Sequence, residues 1–355
     1  MRALLALLAA CASKSASAPA PTPLVDPDLQ LLVTPAPDHA AFVQAIDGAK
    51  ASIELAMFHL TDHTVLDALV RAAGRGVAVR VILDGASLKD ARYDRVAQAL
   101  SAGHVQVRGS SPAFSITHEK AMIVDRAVAF ITAINLTRDE ATTRDFGVIT
   151  RAPGVVGGAR ELFDADWSNA ASGGNATPVL AEPSLVVSPG ARQKLVGLVA
   201  AAKRDAIATV ENLGDPGIAD ALMAAAKRGV RVRVIVPLCD KGLDPLYNLA
   251  PARRLAAAGV GVRTMPAPET AHQPYMHSKL IQIDGATTFV GSENFSINSL
   301  TKARELGVIF ANAEAALEIE NAFEADWAAA IPPPAGQPDC ENSESTATSG
   351  MGSGV

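Results

Sequence analysis

HEKAMIVD, residues 118–125, and HSKLIQID, residues 277–284, are the two stretches on which the fold of this chain turns. Each sets a histidine, a lysine and an aspartate at one spacing: His118, Lys120 and Asp125 in the first, His277, Lys279 and Asp284 in the second. The apolar runs that follow each lysine predict strands, and because side chains alternate along a strand, each His/Lys pair points to one face. A second strand-like run follows each, AVAFITAIN and ATTFVGSEN, ending in Asn135 and Asn294. Further on, RDFGVI and RELGVI place Asp145 and Glu305 at matching points.

The duplication extends outward in both directions. Residues 66–83, LDALVRAAGRGVAVRVIL, match residues 219–236, ADALMAAAKRGVRVRVIV, and FDADW at 163–167 matches FEADW at 323–327. Such self-similarity decides the architecture before any single element does. The offset is 153 residues at the glycine turns (229 − 76) and 159 at the histidines (277 − 118), so the second copy carries six extra residues, expected in loops between Cys239 and Tyr275. Strands predicted at 77–83, 121–124 and 128–131 alternate with helices at 65–73 and 94–102, an α/β pattern. The predicted organisation is a leader and linker (1–23), an N-terminal half (24–172), a linker (173–184), a C-terminal half (185–330) and a tail (331–355) too rich in Pro, Ser and Gly to order itself.

At these residues the chain resembles the phospholipase D superfamily, whose pattern HxKx4Dx6GSxN the second copy meets through His277, Lys279, Asp284, Gly291, Ser292 and Asn294. The first copy keeps His118, Lys120, Asp125 and Asn135 but has Thr132 and Ala133 where Gly and Ser are usual. The resemblance spans about residues 31–327 and implies two tandem α/β halves related by a pseudo-twofold axis. Each half has a central mixed sheet flanked by helices, with one site between them.

The residue types suit metal-independent cleavage of a phosphodiester, which needs a nucleophile, an acid for the leaving alcohol and positive charge on the non-bridging oxygens. Two histidines can supply nucleophile and acid through a covalent phosphohistidine. Lys120, Lys279, Asn135 and Asn294 are expected to hold the phosphate oxygens. The resemblance implies that His118 attacks, that His277 is the acid, and that Asp145 and Glu305 each orient the histidine of their own half. Asp125 and Asp284 are expected to hold the turn after the motif strand. No cofactor or metal is expected, since no His/Cys/Asp/Glu spacing suits a metal. His59 and Asn212, aligned across the repeat in AMFHL and TVENL, are candidates for a pocket wall as much as for packing.

The substrate expected is a phospholipid, cleaved by hydrolysis or by transfer of its phosphatidyl group. The net charge of −6 and isoelectric point near 5.7 disfavour nucleic acid, which needs a basic surface. A nuclease, a cardiolipin synthase-like transferase and an inactive scaffold stay open as alternatives. Arg2 and the short apolar run to Ala10 have the shape of an export signal, and LAAC, ending at Cys11, resembles a lipoprotein cleavage site. An exported monomer is therefore expected, either tethered to the bacterial envelope through Cys11 or, with Cys11 in an ordinary signal, periplasmic or secreted, and Cys239 and Cys340 could form a disulfide.

Overall fold

The run that predicted a helix, a glycine turn and a buried strand folds in that way twice. Helix α2 (His63–Gly74) is capped by Asp62, whose carboxylate accepts from the amides of Thr64 and Val65, and it buries Val65, Ala68, Leu69 and Ala72. Gly76 then takes φ 90°, a left-handed conformation that a side chain would strain, and the chain enters β4 (Ala78–Leu83). In the copy, α6 (Pro216–Lys227) is capped by Asp215, Gly229 takes φ 91°, and β12 (Arg231–Pro237) follows. A cap of this kind is worth about 1 kcal/mol.

In this computed structural model the described residues are 19–36, 38–137, 141–241, 244–270 and 272–340. Residues 1–18, which include Cys11 and most of the expected leader, and the tail from 341 onward lie outside them. Among the described residues, no helix is long and apolar enough to cross a membrane.

Each half carries a mixed sheet with one strand order. The first runs β2 (Gln30–Val33), β9 (Phe146–Thr150), β7 (Val128–Thr132), β6 (Lys120–Val124), β3 (Ser52–Met57), β4, β5 (Gln106–Gly109). The second repeats it as β10 (Leu185–Ser188), β17 (Glu305–Ala311), β16 (Thr287–Gly291), β15 (Lys279–Ile283), β11 (Asp205–Val210), β12, β13 (Gly261–Met265). In both, the motif strand pairs antiparallel with its neighbours, while the following three strands are parallel and joined by helices. The six extra residues fall around the shorter helix α7 (Leu249–Ala257), in the loops 238–248 and 266–274. One apolar core runs through both halves: Ile131, Phe146 and Phe163 belong to the same cluster as Leu185, Leu306, Phe310 and Phe323.

Two boundaries differ from those read in the sequence. Strand β1 (Leu24–Val25), expected in the N-terminal half, pairs parallel with Phe310 and Ala311 in the C-terminal sheet. The reason is an open edge: β10 covers β17 only from Glu305 to Val308, and β1 takes the rungs beyond it. The tail is also ordered as far as Cys340. Ile331 and Thr264 exchange backbone hydrogen bonds, Arg253 donates to the carbonyls of Pro334 and Gly336, and Cys340 is disulfide-bonded to Cys239. Polar ties and a covalent bond hold a segment whose composition offers little apolar surface.

Candidate active site

The site is built by the backbone before any side chain reaches it. Strand β14 (Tyr275–Met276) lies parallel to β8 (Thr143–Arg144), and the Arg144 carbonyl accepts from the amides of His277 (3.2 Å) and Ser278 (2.9 Å). On the other side of the pseudo-twofold, Thr117 bridges Arg304 and the Arg304 carbonyl accepts from the His118 amide at 2.9 Å. Each motif segment is thus laid against the segment of the opposite half that carries the downstream acid.

The carboxylates therefore cross over. His118 Nδ1 lies 3.0 Å from Glu305 Oε2, and His277 Nδ1 lies 2.7 Å from Asp145 Oδ2. The expectation that each acid serves the histidine of its own half is corrected by this pairing. The same exchange holds two ion pairs, half-buried Arg144 with Asp326 at 2.7 Å and buried Arg304 with Asp166 at 3.0 Å, which join the RD/RE segments to the FEADW and FDADW helices of the opposite half. Sequence reasoning missed these pairs. Their signal was present in the repetition of both segments, but nothing local tells which arginine meets which aspartate.

The two imidazoles face each other with ring centroids 6.4 Å apart. His118 Nδ1 also lies 3.1 Å from the Ser292 carbonyl, which can only accept, so Nδ1 carries a proton and the neutral ring presents a lone pair at Nε2. Burial, then the charges of Lys120, Lys279 and His277, hold His118 well below the usual imidazole range. His277 has a carboxylate at each nitrogen, Asp145 at Nδ1 and Glu211 at 3.5 Å from Nε2, so both nitrogens can donate. Burial pushes Glu305 up to about 7, against the pull of its hydrogen bond from Ser299 and the charge of Lys120.

Both lysines are buried and each donates to the carbonyl of its own histidine, Lys120 Nζ to His118 at 2.7 Å and Lys279 Nζ to His277. Burial, then the charge of Lys279, brings Lys120 down to about 7. Asn135 is half-buried with its amide oxygen buried and unpartnered, while Asn294 donates through Nδ2 to Glu211 at 3.2 Å and accepts from the Asn212 amide. Asp125 and Asp284 lie away from this cluster. Asp125 accepts the amides of Lys50, Ala51 and Ser52, and Asp284 those of Lys203, Arg204 and Asp205, which pins the start of the neighbouring strand.

Gly291 is needed where it stands, because a Cβ there would meet Glu293 at 2.3 Å and Gly307 at 2.5 Å. In the first half Thr132 takes that place opposite Gly147, whose own Cβ would meet Thr132 at 2.4 Å, and Ile134 stands where the second half has Glu293. The departure in the first motif is thus accommodated inside the sheet. Ser292 is buried and its carbonyl serves His118, as above.

His59 lines the site between Phe58 and Tyr93, stacked on each at 4.0 and 5.0 Å between centroids. Burial, then the charge of Lys120, lowers it to about 3, so it is a neutral wall. Asn212 is buried against Asp240 and is part of the scaffold. The arginines beside the glycine turns are paired locally, Arg71 and Arg75 with Asp47, Arg80 with Glu54 and Asp164, Arg233 with Glu324. The residue that sequence reasoning passed over is Glu211. It aligns with Phe58, and this exchange of a ring for an acid at one repeat position was the available signal.

Residues 42–167 and 195–327 each match the family described as "Cardiolipin synthase, PLD-like domain". Among curated proteins, cardiolipin synthase A of Pseudomonas aeruginosa is 26% identical over 85% of this chain and 67% of its own length. The probable cardiolipin synthase YwiE of Bacillus subtilis is 27% identical over 74% of this chain and 57% of its own. Phospholipase D Z of Dictyostelium discoideum is 31% identical over 31% of this chain and 26% of its own length. The chain thus spans from about a quarter to two thirds of these relatives. Two solved structures share the fold: a phosphatidylserine synthase of Haemophilus influenzae (TM-score 0.63, 11% identity, 84% of this chain and 86% of that one) and the Porphyromonas gingivalis polyphosphate kinase (TM-score 0.62, 17% identity, 83% and 46%).

Proposed function

The chain belongs to the phospholipase D superfamily, with both PLD-like domains in one polypeptide, and from this we propose that it transfers the phosphatidyl group of a phospholipid to an alcohol or to water. The observation that carries the proposal is the pair of facing histidines, each backed by the carboxylate of the opposite half. The likeness to cardiolipin synthases over most of the chain supports the lipid substrate and the alcohol acceptor.

In the proposed cycle Nε2 of neutral His118 attacks phosphorus, and the bond from phosphorus to the headgroup oxygen breaks. His277 gives its Nε2 proton to the departing alkoxide. In the second step His277 takes a proton from the incoming alcohol or water, whose oxygen displaces Nε2 of His118. Asp145 and Glu305 hold the two rings and balance the imidazolium charge, as carboxylates do in other histidine-based sites. Lys120 and Asn135 face the non-bridging oxygens.

The test is incubation of the purified protein, with EDTA present, on phosphatidylglycerol-containing vesicles and separately on plasmid DNA. Release of glycerol, or formation of a lipid with two phosphatidyl groups, is expected at an undiminished rate in the chelator. Nicking of DNA with no change in the lipid would overturn the lipid substrate. Loss of turnover in EDTA restored by a divalent ion would overturn the roles given to the lysines and histidines.

A pH dependence follows from Lys120. Its folded value near 7 means that the ammonium loses its proton as pH rises through neutrality, so kcat/KM is expected to fall on the alkaline side, with an apparent midpoint near 7. A profile flat from pH 6 to 9 would remove Lys120 from the phosphate-holding set.

A further inference from the structure

Glu211 stands among the groups that would hold phosphate in the second half. Its Oε2 lies 3.1 Å from Lys279 Nζ, 3.2 Å from Asn294 Nδ2 and 3.5 Å from His277 Nε2. Its Oε1 accepts from the Tyr275 hydroxyl at 3.1 Å. An ammonium, an amide and an imidazole converging on one oxygen is the arrangement that a non-bridging phosphate oxygen would require. A side chain of the protein already fills that place.

The first half has no such acid. Phe58 occupies the aligned position, 5.0 Å from Lys120 Nζ to its ring centroid. One phosphate-holding group therefore has no acid at that position, and the other is neutralised from within. Burial alone would raise the Glu211 carboxyl, but the charges of His277, Lys279 and His118 outweigh it and hold the group far below the usual range. It stays ionised across the working pH range.

We propose that Glu211 is a charge gauge that admits phosphodiesters, with one negative charge, and repels dianionic phosphomonoesters. The diester's oxygens go to Lys120 and Asn135 while Glu211 remains on Lys279. A phosphomonoester, including the one that hydrolysis leaves, brings a second charge close to the carboxylate in a buried site, where like charges repel strongly. The gauge would speed release of that product. This inference rests on the phosphodiester reading of the site.

The experiment is a phosphorus NMR titration of the full chain at pH 7 with dimethyl phosphate, which has one charge, and methyl phosphate, whose second pKa of about 6 leaves it mostly with two, while Lys120 still keeps its proton in a large share of the molecules. The wild-type protein is expected to prefer dimethyl phosphate. Glu211→Gln should improve methyl phosphate affinity by about tenfold or more while dimethyl phosphate moves by less than about threefold. Tyr275→Phe, which removes only the hydroxyl that steadies Oε1, should shift the ratio in the same direction by a smaller factor. It carries the test should Glu211→Gln fail to fold. A ratio unchanged in the variants, or an equal gain for both ligands, would overturn the gauge while leaving wild-type diester binding, and hence the site reading, intact. Binding of neither ligand to wild type would overturn both.

Discussion

Replacing His118 with Asn is expected to abolish phosphoenzyme formation and to lower turnover on the order of 10,000-fold or more, because no other group can take its place as nucleophile. The loss from His277→Asn should depend on the leaving group. With an alkyl headgroup the missing proton should cost on the order of 100- to 10,000-fold, and with nitrophenolate, which departs without protonation, less than about tenfold. The basis is the unequal surroundings of two residues of one type. His118 is buried among cations and donates through Nδ1 to a carbonyl, so its Nε2 offers a lone pair. His277 faces acids at both nitrogens. Rapid quench of His277→Asn with a nitrophenyl phosphodiester should trap the phosphoryl adduct on His118, and His118→Asn should trap none. An adduct on His277 in the His118→Asn protein would reverse the roles, and Glu211 rather than Thr132 or Ala133 would be the place to seek the reason.

The second prediction separates crossed from uncrossed carboxylates. Asp145 sits in the half that carries the nucleophile but touches His277, 2.7 Å from its Nδ1. Asp145→Asn should therefore resemble His277→Asn: a loss of about 100- to 10,000-fold on alkyl phosphodiesters, with near-normal burst formation from the nitrophenyl ester. Glu305→Gln, which disturbs the ring of His118 from the other half, should slow the burst itself with every leaving group. If the two variants exchanged these behaviours, each acid would be acting on the histidine of its own half. A structural defect alone would slow both substrates by the same factor, so the contrast between leaving groups distinguishes positioning from misfolding.

Much of the fold was legible because its signals are local. The amphipathic helix, the glycine turn and the buried strand appear in two copies, and each copy folds as its periodicity demands, with Gly76 and Gly229 at nearly equal φ. The alternation that predicted His118 and Lys120 on one face also sends Glu119, between them, to the other side. There it is buried without a partner, and burial followed by repulsion from Asp166 pushes it up to about 8. The order of the tail up to Cys340 was not legible, because composition measures the apolar surface a segment can bury and is blind to a disulfide with a cysteine 101 residues away.

The sequence by itself determined that the chain holds two α/β copies and that each contributes a histidine, a lysine, an asparagine and an acid to one kind of chemistry. These follow from residue type, spacing and alternation, which are properties of short stretches. The tertiary structure alone decided which acid meets which histidine. In a duplicated sequence, pairing within a half and pairing between halves use the same residue types, so the choice falls to the backbone bonds from Arg144 and Arg304 that lay each motif against the opposite half. It also decided the asymmetry of the site. Glu211 and Phe58 occupy equivalent strand ends, but only their three-dimensional surroundings bring the carboxylate onto Lys279 and Asn294 and set a ring in place of an acid beside Lys120.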